Sequence, residues 1–106
     1  MAKLTKAKRY EIWQARVRFE DEDAVKERPV LIWNHTAYVI AYKMTGTDRG
    51  DDKDEYRVVY WQAAGLSKPT SVRITKQLKL IEADLLYQIG ILDRRDQLRF
   101  ALRIVP

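Results

Sequence analysis

Residues 28 to 47 read RPVLIWNHTAYVIAYKMTGT, and this stretch decides the fold that we predict from the sequence. Its first part, Pro29 to Trp33, is a continuous apolar run. Its second part, Thr36 to Met44, is rich in β-branched and aromatic residues, a composition typical of strands. Between the two parts stand the turn residues Asn34 and His35. We therefore predict two antiparallel strands, a hairpin around which the remaining elements are arranged.

Polar residues stand at both open ends of this hairpin. Arg28 precedes the first strand, whereas Thr45, Gly46 and Thr47 follow the second. Because antiparallel pairing brings these ends together, we expect a permanently charged guanidinium to lie beside hydroxyl groups at one rim of the sheet. Such a rim suits an anionic oxygen, and above all a phosphate. Lys26, near the same rim, is a further candidate phosphate ligand.

The chain has 106 residues, of which 46% are hydrophobic and 33% charged, and this predicts one compact domain over residues 1–106. The absence of cysteine excludes disulfides, thiol catalysis and Cys-ligated zinc, and the single histidine excludes a cluster of His ligands. We therefore expect neither a metal site nor another cofactor. Residues 1–9 form a basic arm that we expect to be flexible. No segment approaches the ~18 apolar residues of a membrane span, so we expect a soluble, cytoplasmic protein without membrane contact.

Basic residues dominate one part of the chain. Lys and Arg number 20 against 15 Asp and Glu, a formal net charge of +5. The acids concentrate at Glu20 to Asp23 and at Asp48 to Glu55, whereas the stretch from Arg57 to Lys79 has none. The basic residues of that stretch are Arg57, Lys68, Arg73, Lys76 and Lys79. This basic band predicts contact with a polyanion, with Lys76 and Lys79 as candidate phosphate ligands; the alternative is an ordinary solvated strand face.

Further strands are predicted on both sides of the hairpin. From Tyr10 to Glu20, and again from Ser71 to Ile81, apolar and polar residues alternate with the period of a half-buried strand. Tyr56 to Trp61 is a third strand, and the acidic segment Glu20 to Glu27 has the composition of an exposed loop. Lys76 falls on the apolar face of its strand, where an unpaired charge is costly. We therefore expect a bulge or bend near Lys76.

The C-terminal quarter changes to helical spacing. Ala83 to Gly90 predicts a short helix, with Gly90 ending it in the left-handed cap conformation. Asp93 then stands as the N-cap of a second helix. The apolar residues of that helix, which we expect to face the core rather than a partner, are Leu98, Ala101, Leu102 and Val105. The predicted fold class is mainly β with C-terminal helices (α+β), a small, strongly curved antiparallel sheet capped by helices.

Several segments share their residues and their order with a known family. In chain order they are Tyr10 to Phe19, Lys26 to Ile32, Met44 and Thr45, Gly65 to Val72, Gln77 to Ile81, and Ile89, Gly90 and Leu92. Together they resemble the PemK/MazF toxins of bacterial type II toxin–antitoxin systems, and the likeness extends from Tyr10 to Leu102. The resemblance implies an SH3-like barrel of the MazF/CcdB kind and a homodimer. It also implies a metal-independent endoribonuclease that cleaves single-stranded RNA and is inhibited by a cognate antitoxin.

The resemblance further implies roles for single residues. Arg28 falls on the essential arginine of the family's Arg-Pro-Val motif, and Thr45 on its catalytic threonine at the end of the third strand. A guanidinium and a hydroxyl stabilise the charge that builds up when a 2′-hydroxyl attacks the neighbouring phosphodiester, leaving a 2′,3′-cyclic phosphate and a 5′-hydroxyl. Asp23, or Glu22 beside it, lies near the place of an acid in many members, and we expect it to take the 2′ proton. The alternative is that these acids only solubilise a loop.

Two departures from the family pattern keep other functions open. Lys76 stands where some members have an acid implicated in proton transfer, and Gly46 stands where a serine often follows the threonine. An inactive binding module on the same barrel is therefore one alternative. A CcdB-like poison of DNA gyrase is another, although such a protein has no need of the oxyanion donors Arg28 and Thr45.

Overall fold

The computed structural model describes residues 7–19, 24–46 and 54–104. Within these ranges the strands are β1 (Glu11–Phe19), β2 (Ala24–His35), β3 (Val39–Thr45), β4 (Glu55–Arg57), β5 (Ser71–Leu80) and β6 (Leu85–Ile91), and the helix α1 spans Arg94–Ile104. The six strands form one antiparallel sheet in the order β4-β5-β3-β2-β1-β6. The predicted class, mainly β with C-terminal helical structure, and the central β2–β3 hairpin are confirmed, although the described residues contain one C-terminal α-helix instead of the predicted two. In the described ranges the sheet is open, with β4 and β6 at its edges.

The sheet buries apolar side chains on both faces, because neighbouring residues of a strand point to opposite sides. Leu31 belongs to the first core, which also contains Met44, Val72 and Phe100 of α1. Val30 and Ile32, on either side of Leu31, belong to the second core. The members that β1 and β3 contribute to the second core include Trp13, Ala15, Val17, Val39 and Ala41. The unbroken apolar run at the start of the hairpin is therefore a strand that is covered on both faces.

A bulge in β5 lies where the sequence predicts one. Tyr42 of β3 pairs with Gln77, but Met44, two residues later, pairs with Val72, five residues away on β5. Two residues of β3 thus span five residues of β5. Because the second number is odd, side chains of β5 at alternate positions change from one face of the sheet to the other across the bulge. Val72 accordingly lies in the first core, whereas Leu80 lies in the second. The bulge places Lys76 in its exposed part.

The second strand begins earlier than predicted, at Ala24 instead of Pro29. Residues 24–28 pair with β1, where Ala24 lies opposite Phe19 and Arg28 opposite Ala15, before the ladder to β3 starts at Val30. This segment is charged because it belongs to a largely exposed, two-stranded part of the sheet. That charged composition is the reason why the sequence predicts a loop here. Pro29 has no N–H to donate, and the β2–β3 ladder ends beside it, at Val30. Residues 20–23 lie outside the described residues.

The helix predicted over Ala83 to Gly90 is wrong. Glu82–Asp84 form a single 3₁₀ turn and Leu85–Ile91 form β6, which pairs with the free edge of β1. A short apolar run fits either structure, and the available edge of β1 decides for the strand. Gly90 does not cap a helix. A Cβ atom on Gly90 would lie 2.0 Å from the carbonyl oxygen of Ala64, so this position needs a glycine for a close backbone approach.

Helix α1 is confirmed, but it faces the core with other residues than predicted. Leu98 and Leu102 are 62% and 80% exposed, whereas Phe100 and Asp96 are fully buried. Phe100 packs edge-on against Trp33, Tyr42 and Tyr56. The orientation of the helix is therefore set by one aromatic and one acidic side chain. The spacing of the apolar residues does not predict that an acidic residue faces the core. Val105 lies outside the described residues.

The predicted basic arm is described only from Ala7 onwards. Ala7 is buried in the second core, and the Nε of Arg9 donates to the carbonyl oxygen of Trp33 at 2.8 Å. No helix within the described ranges is long and apolar enough to cross a membrane.

Candidate functional site

Polar side chains form a line across four neighbouring strands at the end of the sheet where β3 terminates. Thr45 pairs with Ser71 of β5, and Ser71 pairs in turn with Arg57 of β4. On the other side, the β2–β3 ladder ends at the pair Val30 and Lys43, and Arg28 and Thr45 each lie two residues beyond that pair. We refer to Arg28, Thr45, Ser71 and Arg57 as the cross-strand row.

The members of the cross-strand row point to the same side of the sheet. Met44, Val72 and Tyr56, each next to a member of the row, all belong to the first core. Thr45, Ser71 and Arg57 therefore face the opposite side, and so does Arg28, which is separated from Val30 of the second core by one residue. Arg28 and Thr45 therefore lie on the same face of the sheet, and their catalytic roles remain predictions.

The sheet holds the hydroxyl groups of the row and leaves its guanidinium groups at the surface. Ser71 is only 7% exposed and Thr45 is half-buried, because both lie within the paired part of their strands. Arg28 and Arg57 are exposed. The Arg28 guanidinium donates to the carbonyl oxygen of Glu27 at 2.8 Å. The arrangement offers fixed hydroxyls between two surface cations, which suits a phosphodiester arriving from solvent.

The predicted phosphate ligands are not all in one place. Lys26 lies on the same face of β2 as Arg28, two residues or about 6.6 Å away along the strand. Lys76 is exposed in the bulge of β5. Lys79 lies towards the opposite end of the sheet, where it pairs with Ile40 and its Nζ lies 4.0 Å from the centre of the Tyr38 ring. Only Lys26 is therefore brought beside Arg28.

Two predicted site residues, Asp23 and Thr47, lie outside the described residues, as does Glu22. Their roles remain predictions. Among residues 7–19, 24–46 and 54–104, no three His, Asp or Glu side chains come together in a way that could hold a metal ion.

The sequence analysis did not assign two residues that the structure brings to the candidate site. Ser71 is the partner of Thr45 across the β3–β5 ladder. Lys68 lies over Gly46, the residue after Thr45, since a Cβ atom on Gly46 would be 2.8 Å from the Lys68 Nζ. The sequence places Lys68 in the basic band, but only the pairing of β3 with β5 connects it to Thr45. Another member of that band, Arg73, pairs with buried Glu55 at 3.7 Å.

A cleft of about 680 Å³ opens at the other end of the hairpin. Its lining includes Lys8, Arg9, Trp33 and His35. Asn34 in its wall is six residues of β2 from Arg28, or about 20 Å. The cleft is therefore separate from the cross-strand row, which is an open surface of the kind that a polymer can reach.

Tyr56 precedes Arg57 of the row but faces the opposite side of the sheet, in the first core. Burial, together with a hydrogen bond to Asp96, raises the pKa of Tyr56 well above its usual value. Asp96 accepts this bond at 2.5 Å and also accepts the backbone N–H groups of Val59 and Tyr60 at 2.9 and 2.8 Å. We refer to Asp96 and these three donors as the Asp96 cluster. Because these bonds hold residues 59–60 against α1, β4 ends at Arg57 instead of continuing to Trp61 as predicted.

Known proteins resemble this chain at the level of solved structures. No model of a protein family matches it, and neither does any curated protein. The toxin MazF-mt6 of Mycobacterium tuberculosis is 29% identical, with a TM-score of 0.72 over 89% of this chain and 91% of that one. A second crystal structure, described as that of an Mtb toxin, is 30% identical, with a TM-score of 0.63 over 73% of this chain and 88% of that one.

A third structure extends the comparison at lower identity. It is an endoribonuclease from a mycobacterial species in complex with its cognate antitoxin, 18% identical, with a TM-score of 0.67 over 91% of this chain and 88% of that one. At that identity the likeness shows the fold alone. The two toxins, at 29% and 30% identity over most of their own length, show more. The chain belongs to the PemK/MazF family of toxins.

Proposed function

We propose that this chain is the toxin of a type II toxin–antitoxin system and that it cleaves single-stranded RNA as a metal-independent endoribonuclease. The arrangement that supports the proposal is the cross-strand row, in which Arg28 and Thr45 lie on one face of the sheet, each two residues beyond the end of the β2–β3 ladder. Membership of the family and the endoribonuclease among the structural neighbours support the same activity. A gyrase poison would have no use for such a pair.

The proposed reaction is an in-line displacement within the RNA. The 2′-oxygen attacks the adjacent phosphorus, the bond from phosphorus to the 5′-oxygen breaks, and a 2′,3′-cyclic phosphate and a 5′-hydroxyl result. Negative charge on the phosphoryl oxygens rises in the five-coordinate transition state. The Arg28 guanidinium and the Thr45 hydroxyl stabilise that charge as donors already in position, which is the most effective form of electrostatic catalysis.

Proton transfer is assigned to the acidic segment before β2. Asp23, or Glu22 next to it, takes the proton of the attacking 2′-hydroxyl, and the leaving 5′-oxygen takes a proton from solvent water. The other contacts to RNA are made by Lys26, which lies on the same face as Arg28, and by Thr47, Lys76 and Lys79. Lys79 lies near the far end of β5 and, as the neighbour of Leu80 in the second core, on the opposite face from Arg28, so its contact is with a part of the RNA away from the scissile phosphate.

The proposed partners are a cognate antitoxin and a second copy of this chain. The neighbour solved with its cognate antitoxin supports the first. Leu98 and Leu102 support a protein partner in general, since they stand one turn apart on α1 and remain exposed. Light scattering of the purified protein measures its oligomeric state, and co-expression with the adjacent reading frame tests for an antitoxin.

The experiment that tests the proposed activity uses a long single-stranded RNA incubated with the purified protein in EDTA. We expect discrete cuts whose 5′-hydroxyl ends are phosphorylated by polynucleotide kinase without prior phosphatase treatment. Arg28→Ala removes the guanidinium from an exposed position and should lower the cleavage rate at least about 100-fold. Arg94→Ala, at an exposed arginine of α1, is the matched control and should cleave like the wild type.

Intact RNA with the wild-type protein would overturn the nuclease assignment. A DNA gyrase supercoiling assay would then separate the two alternatives, because inhibition indicates a CcdB-like poison and its absence an inactive binding module. Full cleavage by the Arg28→Ala variant would leave the activity standing and overturn the role of Arg28.

A further inference from the structure

The main chain after Thr45 is covered by a lysine. A Cβ atom on Gly46 would lie 2.4 Å from the Cε and 2.8 Å from the Nζ of Lys68. Real Cβ atoms do not make such close contacts, so the observed position of Lys68 is compatible only with glycine at residue 46. The Lys68 ammonium group therefore sits over the residue that directly follows the proposed catalytic threonine.

The segment that carries Lys68 is anchored to the sheet. The Thr70 hydroxyl donates to the carbonyl oxygen of Lys68 at 2.9 Å, and Thr70 itself is only 5% exposed. The carbonyl oxygen of Thr70 accepts the N–H of Val58 at 3.0 Å. Ser71 then begins β5 opposite Thr45. The backbone of Lys68 is thus tied to the strand that pairs with Thr45, and only its side chain is exposed.

Lys68 also differs from the other cations of the site in its surroundings. The acid-free stretch from Arg57 to Lys79 contains it. Within the described part of the chain no ion pair involves Lys68, whereas Arg73 of the same stretch is paired with Glu55. An exposed ammonium held over a strand end is suited to an anionic ligand.

We infer that Lys68 binds a non-bridging oxygen of the phosphodiester held at Thr45, and that Gly46 is the residue that admits it. The inference rests on the proposed function and adds to it a third charged or polar group at the scissile phosphate. Arg28 approaches this phosphate from β2, on one side of Thr45, and Lys68 approaches from the segment before β5, on the other.

The test combines cleavage with binding to an RNA that cannot be cleaved. Fluorescence anisotropy with a 2′-O-methyl RNA measures affinity against salt concentration, independently of activity. We expect Lys68→Ala to weaken binding about tenfold and to reduce the magnitude of the salt slope by about 0.7, the loss of one phosphate contact on a single strand. Lys68→Arg, which keeps the charge, should retain most of the affinity. Lys8→Ala, at an exposed lysine near the far end of the hairpin, should change neither quantity.

A double-mutant cycle tests the role of Gly46. Its new Cβ would meet the flexible end of Lys68 and not backbone, so Gly46→Ala should leave the protein folded and displace the lysine. We expect Gly46→Ala to weaken binding in the wild-type background and to have no further effect in the Lys68→Ala background. Additive effects of the two changes would overturn the pairing of Gly46 with Lys68.

The outcomes separate this inference from the proposed function. An unchanged affinity and salt slope in Lys68→Ala would overturn the inference even if the wild-type protein cleaves RNA. The wild-type protein could cleave no RNA while Lys68→Ala still lowers the RNA affinity and the salt slope. That result would uphold Lys68 as a phosphate ligand and overturn the nuclease assignment instead.

Discussion

Two groups of polar residues in this domain show opposite designs. In the Asp96 cluster a fully buried carboxylate accepts three hydrogen bonds, so its bonding capacity is used inside the protein. In the cross-strand row the hydroxyls of Thr45 and Ser71 are held by paired strands while two guanidiniums stand at the surface. The first arrangement joins α1 to the segment after β4. The second brings hydroxyls and surface cations together on one face of the sheet, and it is the arrangement at which we propose that RNA binds.

The strongest test of the difference between the Asp96 cluster and the cross-strand row is Asp96→Ala. This change removes the acceptor of the buried Tyr56 hydroxyl and of the part-buried N–H groups of Val59 and Tyr60. Each unsatisfied donor is costly, so we expect the free energy of unfolding to fall by about 3–5 kcal/mol in urea titrations. RNA cleavage per folded molecule should be unchanged.

The matched control for this prediction is Leu98→Ala on the same helix. Leu98 is 62% exposed, and its truncation should alter the free energy of unfolding by no more than about 0.5 kcal/mol. A loss below about 1 kcal/mol for Asp96→Ala would show that the Asp96 cluster does not stabilise the fold as described.

The corresponding change in the cross-strand row is Thr45→Val, which replaces the hydroxyl by a methyl group of similar size. We expect the cleavage rate to fall about 100- to 1,000-fold, which corresponds to about 3–4 kcal/mol of transition-state stabilisation. Stability should change little, because the side chain is only half-buried and its strand pairing is kept. Single-turnover cleavage with saturating protein measures the rate.

Thr45→Ser is the control, since it keeps the donor and removes only the methyl group. It should cleave within about tenfold of the wild type. If the valine variant cleaves as fast as the serine variant, the hydroxyl does not act in the transition state.

One part of the candidate site follows from the hairpin in the sequence, and another part depends on tertiary contacts. Arg28 and Thr45 were expected side by side because antiparallel pairing fixes that relation once the hairpin is recognised. Ser71 and Lys68 were not expected there, because their approach depends on which strand pairs with the free edge of β3. That choice is made by the burial of Val72 and its neighbours in a common core, and local sequence patterns do not contain it.

The errors in the C-terminal quarter have a related cause. Leu85–Ile91 forms a strand because β1 offers it an unpaired edge, and the same residues would suit a helix in another setting. Leu98 and Leu102 of α1 face outward because Asp96 and Phe100 occupy the face of the helix that packs on the core, where Asp96 accepts the Tyr56 hydroxyl and Phe100 packs against Tyr42. In both cases tertiary contacts outweigh the periodicity of the sequence.

The smallest change in stability is expected from Tyr56→Phe, which tests a single hydrogen bond of the Asp96 cluster. It removes one of the three donors to Asp96 and leaves the two backbone N–H groups in place. We expect a loss of about 1–2 kcal/mol in the free energy of unfolding at neutral pH, and no change in RNA cleavage. Chemical denaturation at pH 7 measures the difference between the two proteins.

The dependence of this difference on pH identifies its cause. Burial and the bond to Asp96 raise the pKa of Tyr56, so the folded protein holds the phenol proton more tightly than the unfolded chain does. The contribution of that proton is complete below pH 10, near the usual pKa of tyrosine, and is lost as the pH rises further. The wild type should therefore lose its advantage over Tyr56→Phe between pH 10 and 12. The chain has 6 tyrosines, and those other than Tyr56 are present in both proteins, so their contributions cancel in the comparison. An advantage that stays constant or grows over this range would mean that the phenol of Tyr56 does not donate to Asp96.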